Sequence, residues 1–184
     1  MKRTTESGFS YIDVMISIVI LMIGILALLS AVSGSMLQAK GHEQQLLAKQ
    51  YATSTMESIM AAKETDPTRL GWNSIGNVGS NPDYVTGVPQ GIFVVGFQPV
   101  RVDAGPDEVV GTADDTGATV SQLQRRVVIT DVCDPDRPSP VICSPAGTSQ
   151  VRIRQVEVDI RYNVGALQRE ETLRTVLTDY AVVN

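Results

Sequence analysis

The sequence predicts an α+β chain in which a long N-terminal helix packs on an antiparallel sheet of about four strands. Three observations predict it. Val14 to Val32 is a run of 19 residues of which 16 are hydrophobic, the exceptions being Ser17, Gly24 and Ser30. A helical spacing of apolar residues then continues to about Lys63. Beyond it come β-branched runs separated by Gly, Asn, Asp and Pro, the pattern of strands joined by turns.

The chain has 184 residues, 43% hydrophobic, 5% aromatic and 19% charged, with a formal net charge of −5. Aliphatic residues are too plentiful for a disordered chain, and the apolar residues are far less clustered than a polytopic membrane protein needs. The acidic balance disfavours nucleic-acid binding by bulk charge, so no direct nucleic-acid partner is expected. Two cysteines exclude a cysteine-rich scaffold and a four-cysteine zinc site. No His-Glu-x-x-His, Gly-x-Ser-x-Gly or phosphate-loop motif occurs, and His42 is the one histidine, so no enzyme activity is expected.

Taken in order, the first element is the apolar run. No charge lies between Asp13 and Lys40. As a helix, Val14 to Val32 is roughly 28 Å long at about 1.5 Å per residue, enough to cross the ~30 Å hydrocarbon core of a bilayer. Lys2 and Arg3 precede it, which favours a cytoplasmic N-terminus. A cleaved secretory signal and a plain single-span anchor are the alternatives.

The helical pattern continues past the span. Leu47, Tyr51 and Ile59 are spaced by multiples of four, as are Ala48, Ala52, Met56 and Met60 on the adjacent ridge, with Lys49, Ser54, Glu57 and Ala61 mostly opposite. Asp66-Pro67 gives the stop, because the residue before proline avoids the α region. One helix from Phe9 to Lys63 would be roughly 80 Å long, half in an apolar environment and half on a head domain.

The expected organisation is therefore residues 1–8 as a leader, 9–63 as the long helix with 14–32 as its transmembrane part, and 64–184 as a β-rich head. The head carries 10 Arg and no Lys against 16 acidic residues, so the acidity of the chain belongs to it. Residues 64–91 read as a loop rich in Gly, Asn and Pro. Strands are expected over Ile92–Phe97, Arg126–Val132 (with Val128, Thr130 and Val132 on one face), Val151–Tyr162 and Arg169–Leu177. Val151 and Ile153 share one parity while Val156, Val158, Ile160 and Tyr162 share the other, which predicts a β-bulge near Arg154-Gln155 and places Arg152, Arg154, Glu157, Asp159 and Arg161 together on the outer face. Asn163 to Leu167, with Gly165, is the turn to the last strand.

The residues before the span carry a further signal. A short polar leader ends in Gly8, followed by Phe9-Ser10-Tyr11-Ile12-Asp13-Val14 and the apolar run. This resembles the prepilin signature of the type IV pilin family. The stretch Ala48-Lys49-Gln50-Tyr51-Ala52 through Met56-Glu57-Ser58-Ile59, and the terminal hairpin around Arg154–Val158 and Thr172–Thr175, are similar to PilV-type minor pilins and to I-type pseudopilins of type II secretion. Tyr11 stands where the family has an aliphatic residue, and Asp13 where it has Glu.

The resemblance implies a pilin-like fold, cleavage by a prepilin peptidase between Gly8 and Phe9, and N-methylation of Phe9. It implies that Asp13 neutralises the amino terminus of a neighbouring subunit during assembly; a helix N-cap is the alternative reading of that residue. It also implies an inner-membrane subunit with a periplasmic head. That subunit would pack through its N-terminal helix against other pilins and minor pilins in a pilus or pseudopilus.

Two features lie outside the resemblance. Asp103, Asp107, Asp114 and Asp115, interleaved with Gly105, Gly111 and Gly117, supply the oxygen ligands and loop freedom that a calcium ion needs, though without EF-hand spacing; a solvated acidic loop is the alternative. Cys133 and Cys143 are expected to form a disulfide if the head lies in an oxidising compartment, and to be free thiols otherwise.

Overall fold

The computed structural model describes residues 8, 10–65, 70–79, 91–132 and 153–179. The element order is α1 (Tyr11–Glu64), a short 3-10 turn (Trp72–Ser74), β1 (Gln98–Asp103), β2 (Thr116–Asp131), β3 (Ile153–Val164) and β4 (Leu167–Thr178). The strands form one antiparallel sheet in the order β1-β2-β3-β4. This is the expected α+β meander.

The chain divides into two compact units, Met1–His42 and Glu43–Asn184. The first contains the apolar part of α1, in which every residue from Tyr11 to Lys40 is exposed. Among the described residues this is the one helix long and apolar enough to cross a membrane, with a mean hydropathy of 2.9 over its most apolar window.

In the second unit the rest of α1 supplies one wall of the core. Ala48, Ala52, Met56, Ile59 and Ala62 are buried against Val100, Leu123, Val127, Ile129, Val156, Val158, Ile160 and Tyr162 of the sheet. Small residues at 48, 52 and 62 keep the helix close to the strands, while Met56 and Ile59 fill the space between them. The spacing by fours places these residues as expected, except Met60, which is 41% exposed. The helical stripe bends towards Ile59 and Ala62 instead, as a repeat of 3.6 residues requires.

The β3–β4 hairpin is regular from Ile153↔Thr178 to Val164↔Leu167, closed by Gly165-Ala166. Gly165 has φ 62°, a left-handed conformation that favours glycine and that a tight hairpin turn needs.

Three expectations are corrected. First, β3 contains no bulge: its pairing with β2 and β4 is continuous through Arg154 and Gln155. Arg154 keeps the parity of Val156 and points into the core, where it is 2% exposed. Its guanidinium is satisfied there by the carbonyls of Trp72 (2.6 Å) and Ile75 (2.7 Å) and by Asp131 (3.0 Å), and it stacks on the Trp72 ring. An inward arginine broke the hydrophobic alternation without breaking the strand.

Second, Ile92–Phe97 is not a strand. Phe93 makes isolated bridges to Asn77 and Thr112 and is fully buried as a plug beneath them. The first strand is Gln98–Asp103. Third, β2 begins at Thr116, and its core face carries Leu123, Val127 and Ile129 rather than Val128 and Thr130.

The irregularity of the sheet lies between β1 and β2. A two-residue step from Pro99 to Arg101 is matched by a five-residue step from Gln124 to Thr119. Gln122, inside that excess, has φ 66°. Asn77 ties the preceding loop to β2: its Oδ1 accepts from Ile129 N and its Nδ2 donates to Val127 O, both at 2.8 Å.

Candidate functional site: the helix start and the acidic loop

Gly8 is exposed, and Phe9, the residue expected to begin the mature chain, lies outside the described residues. Asp13 sits in the first turn of α1. Its own N–H and that of Val14 reach the Ser10 carbonyl, at 3.0 and 3.3 Å, and the Ser10 N–H donates back to Asp13 Oδ2 at 3.3 Å. Ser10 is thus the helix N-cap residue and Asp13 the acid three positions on, the return half of a capping box. In this chain the carboxylate also lies where the helix dipole favours negative charge.

Ser17, Ser33 and Ser35 of the N-terminal half of α1 are satisfied within the helix. Ser17 donates to Asp13 O (2.7 Å), Ser33 to Leu29 O (2.9 Å) and Ser35 to Val32 O (2.8 Å). Turned onto the backbone in this way, a hydroxyl adds little cost in an apolar environment.

The acidic loop joins β1 to β2 and docks on α1 through Val110 N, which donates to Ser58 Oγ at 3.1 Å. Gly105 has φ 72°, and a side chain there would collide with the backbone of Asp114, so the loop can fold on itself only with glycine at this point. Asp103 accepts from Gly105 N (3.0 Å) and Asp107 from Val109 N (2.8 Å). Asp114 accepts from Asp107 N (3.2 Å) and from the Thr112 hydroxyl (2.5 Å). Asp115 accepts from Gly111 N and forms an ion pair with Arg125.

Two of these acids are pushed in opposite directions. Desolvation, together with the nearby Asp114 charge, raises the Asp107 pKa; the Thr112 hydroxyl holds that of Asp114 down. Arg125 is 3% exposed, and its burial lowers its pKa while Asp115 counters that effect. Among the described residues, no group of three His, Cys, Asp or Glu side chains is placed to hold a metal ion together. Asp103 ends β1 and the other three aspartates lie in the loop that follows, and each is engaged by loop N–H groups, Thr112 or Arg125. Cys133 and Cys143 lie outside the described residues.

Sequence reasoning missed the buried charges of the sheet. Asp159 is fully buried on the face away from α1, where it accepts from Arg126 and from Thr172 Oγ1 (2.6 Å). Arg161 pairs with Glu170 and Arg174 with Glu157 beside it. Alternation along a strand marks such residues as outward-facing, and only the cross-strand register reveals their partners.

No family model, no curated protein and no solved structure matches this chain.

Proposed function

We propose that this chain is a PilV-like minor pilin, a structural and non-enzymatic subunit that primes or modulates assembly of a type IV pilus and so serves adhesion, motility or DNA uptake. One observation carries the reading. The apolar part of α1 is exposed along its whole length while the same helix completes the core of a β-sheet head further on. Such an apolar surface is stable only in lipid or against other apolar helices, and a subunit that moves from membrane to filament meets both in turn.

In this proposal the prepilin peptidase cuts between Gly8 and Phe9 and methylates Phe9. The helix then packs laterally against those of neighbouring pilins. Asp13 exchanges its bond to Ser10 N–H for the charged amino terminus of a neighbour. An acid at an apolar boundary favours such a partner because an unpaired carboxylate there is costly. The test is incorporation of Asp13→Ala and Asp13→Glu variants into sheared filaments. Asp13→Glu should enter at the native level and Asp13→Ala should remain in the inner membrane. Native-level entry of Asp13→Ala would contradict the pairing.

The same helix suits an I-type pseudopilin of type II secretion, and the acidic β1–β2 insertion in the head favours the pilus. Deleting the gene and scoring pili against secreted proteins separates the two. A reading of another class, a membrane-anchored calcium-binding module, draws on the proximity of Asp107 and Asp114, whose repulsion a cation would relieve. It requires Asp103, Asp107, Asp114 and Asp115 to turn towards one ion. A rise of several degrees in the melting temperature of the full chain at millimolar calcium would support it, and no change would rule it out.

A further inference from the structure

The helix-distal face of the sheet holds a cleft of about 370 Å³, within the range of small-ligand sites. Its floor is a cross-strand row. Pro99 pairs with Gln124 and Gln124 with Arg161, and β4 adds Gln168, so all four strands contribute. The adjacent row brings Asn163 opposite Gln168. An ordinary sheet face is too flat to form a cleft. Here the excess of β2 residues opposite Pro99–Arg101 raises a wall that includes Gln122.

Two features mark the cleft as built. Gln122 is held at φ 66°, a costly conformation for a residue with a side chain, and such residues collect at functional sites. Arg161 arrives with its orientation fixed: its guanidinium lies 3.5 Å from the Phe97 ring centroid and bonds Glu170 at 3.2 Å. The Glu170 contact also neutralises the charge of Arg161.

Beside Thr119 and the apolar Val120 and Leu123, the cleft is lined by a concentration of neutral amides, Gln122, Gln124, Asn163 and Gln168. Each amide both donates and accepts, the complement of a hydroxyl group. A peptide strand would need an unpaired sheet edge, whereas the centre of this cleft, Gln124 and Arg161, lies on β2 and β3, each paired on both sides. We propose that it is a recognition site for an uncharged, hydroxyl-rich ligand, a neutral saccharide. This inference does not rest on the filament reading.

The test uses the full chain in detergent micelles on an array of neutral oligosaccharides, followed by calorimetry with the saccharide retained. The expected result is binding that falls at least tenfold in Gln124→Ala and in Asn163→Ala but is unchanged in Thr130→Ala, an exposed position on the same face. Gln122→Gly relieves the backbone and removes an amide. It should weaken binding while raising the melting temperature, which a purely structural role would not produce. Retention of no neutral saccharide, retention of charged saccharides alone, or undiminished binding by both alanine variants would overturn the proposal.

Discussion

Arg126 donates two hydrogen bonds to Oδ2 of Asp159, from Nε at 2.9 Å and from Nη2 at 2.6 Å, and Asp159 is fully buried although it lies on the face of the sheet away from α1. Arg126 is itself 34% exposed and stacks 4.6 Å from the Phe97 centroid. The pair joins β2 to β3, and Thr172 extends the network to β4. Its geometry fixes the register of three strands.

Removing the arginine leaves a buried carboxylate with one remaining neutral donor. Arg126→Ala should therefore cost about 3 kcal/mol, the lower end of the range for breaking a buried pair, since Arg126 is partly solvated. The double variant Arg126→Ala, Asp159→Asn should recover part of that loss. Urea unfolding of the four members of this cycle measures the coupling. Equal losses in the single and double variants would mean that the pair is not coupled.

Arg154 acts differently, because two of its partners are backbone carbonyls of the Trp72–Ile75 segment. Substitution by methionine preserves the aliphatic stem and leaves those carbonyls and Asp131 without the guanidinium. We expect a loss of about 3 kcal/mol for Arg154→Met. Lysine supplies charge without the planar fork, so Arg154→Lys should lie between methionine and the native chain. Exchange of the Ile75 region, read by hydrogen–deuterium methods, should quicken in both variants.

The acidic loop has a pH signature with two opposed parts. Asp114 is held below the ordinary value of 3.8, first by the Thr112 hydroxyl. Its ionised form thus favours the folded state above 3.8, and this contribution is lost as pH falls through the lower folded value. Thr112→Val should reduce stability at pH 7 and reduce it less at pH 2.5.

Asp107 is raised above 3.8, first by desolvation. Its ionised form thus penalises the folded state at neutral pH, and the penalty fades as pH falls through the raised value. Asp107→Asn keeps an acceptor for Val109 N and should leave the chain as stable or more stable at pH 7. Thermal melts at the two pH values check both signs.

Gln122→Gly tests the strain in β2. A non-glycine residue at positive φ costs on the order of 1 kcal/mol, so glycine should stabilise the head by about that amount despite its greater freedom in the unfolded chain. An unchanged or lower denaturation midpoint would show that the side chain contributes more than the backbone loses.

The sequence carried the parts of the fold whose signals are local. Ala48, Ala52, Met56 and Ile59 recur at helical spacing, and all are buried. The β3–β4 hairpin was legible from alternation around Val156–Tyr162 and from Gly165. Other parts depend on partners distant in sequence. Arg154 reads as an outward residue until Trp72 and Ile75, about 80 positions earlier, supply its acceptors. Phe93 reads as strand because it is apolar among apolar neighbours, yet it is buried as a plug between two loops. Of the candidate site, the apolar length of α1 was legible because it is a local property, whereas the N-cap read at Asp13 falls on Ser10 in the structure, with Asp13 bonding back to it. The amide cleft was not legible, because it exists only where four strands align.

The central claim is that the apolar helix belongs to a subunit processed at Gly8 and assembled through its new amino terminus. Intact-mass and N-terminal fragment mass spectrometry of the protein from its native membrane or filament tests this most directly. The account predicts a mature chain that begins at Phe9 and carries an N-methyl group. A chain with an intact leader beginning at Met1, or one cleaved beyond the apolar segment after Ala31 to Gly34, would contradict it.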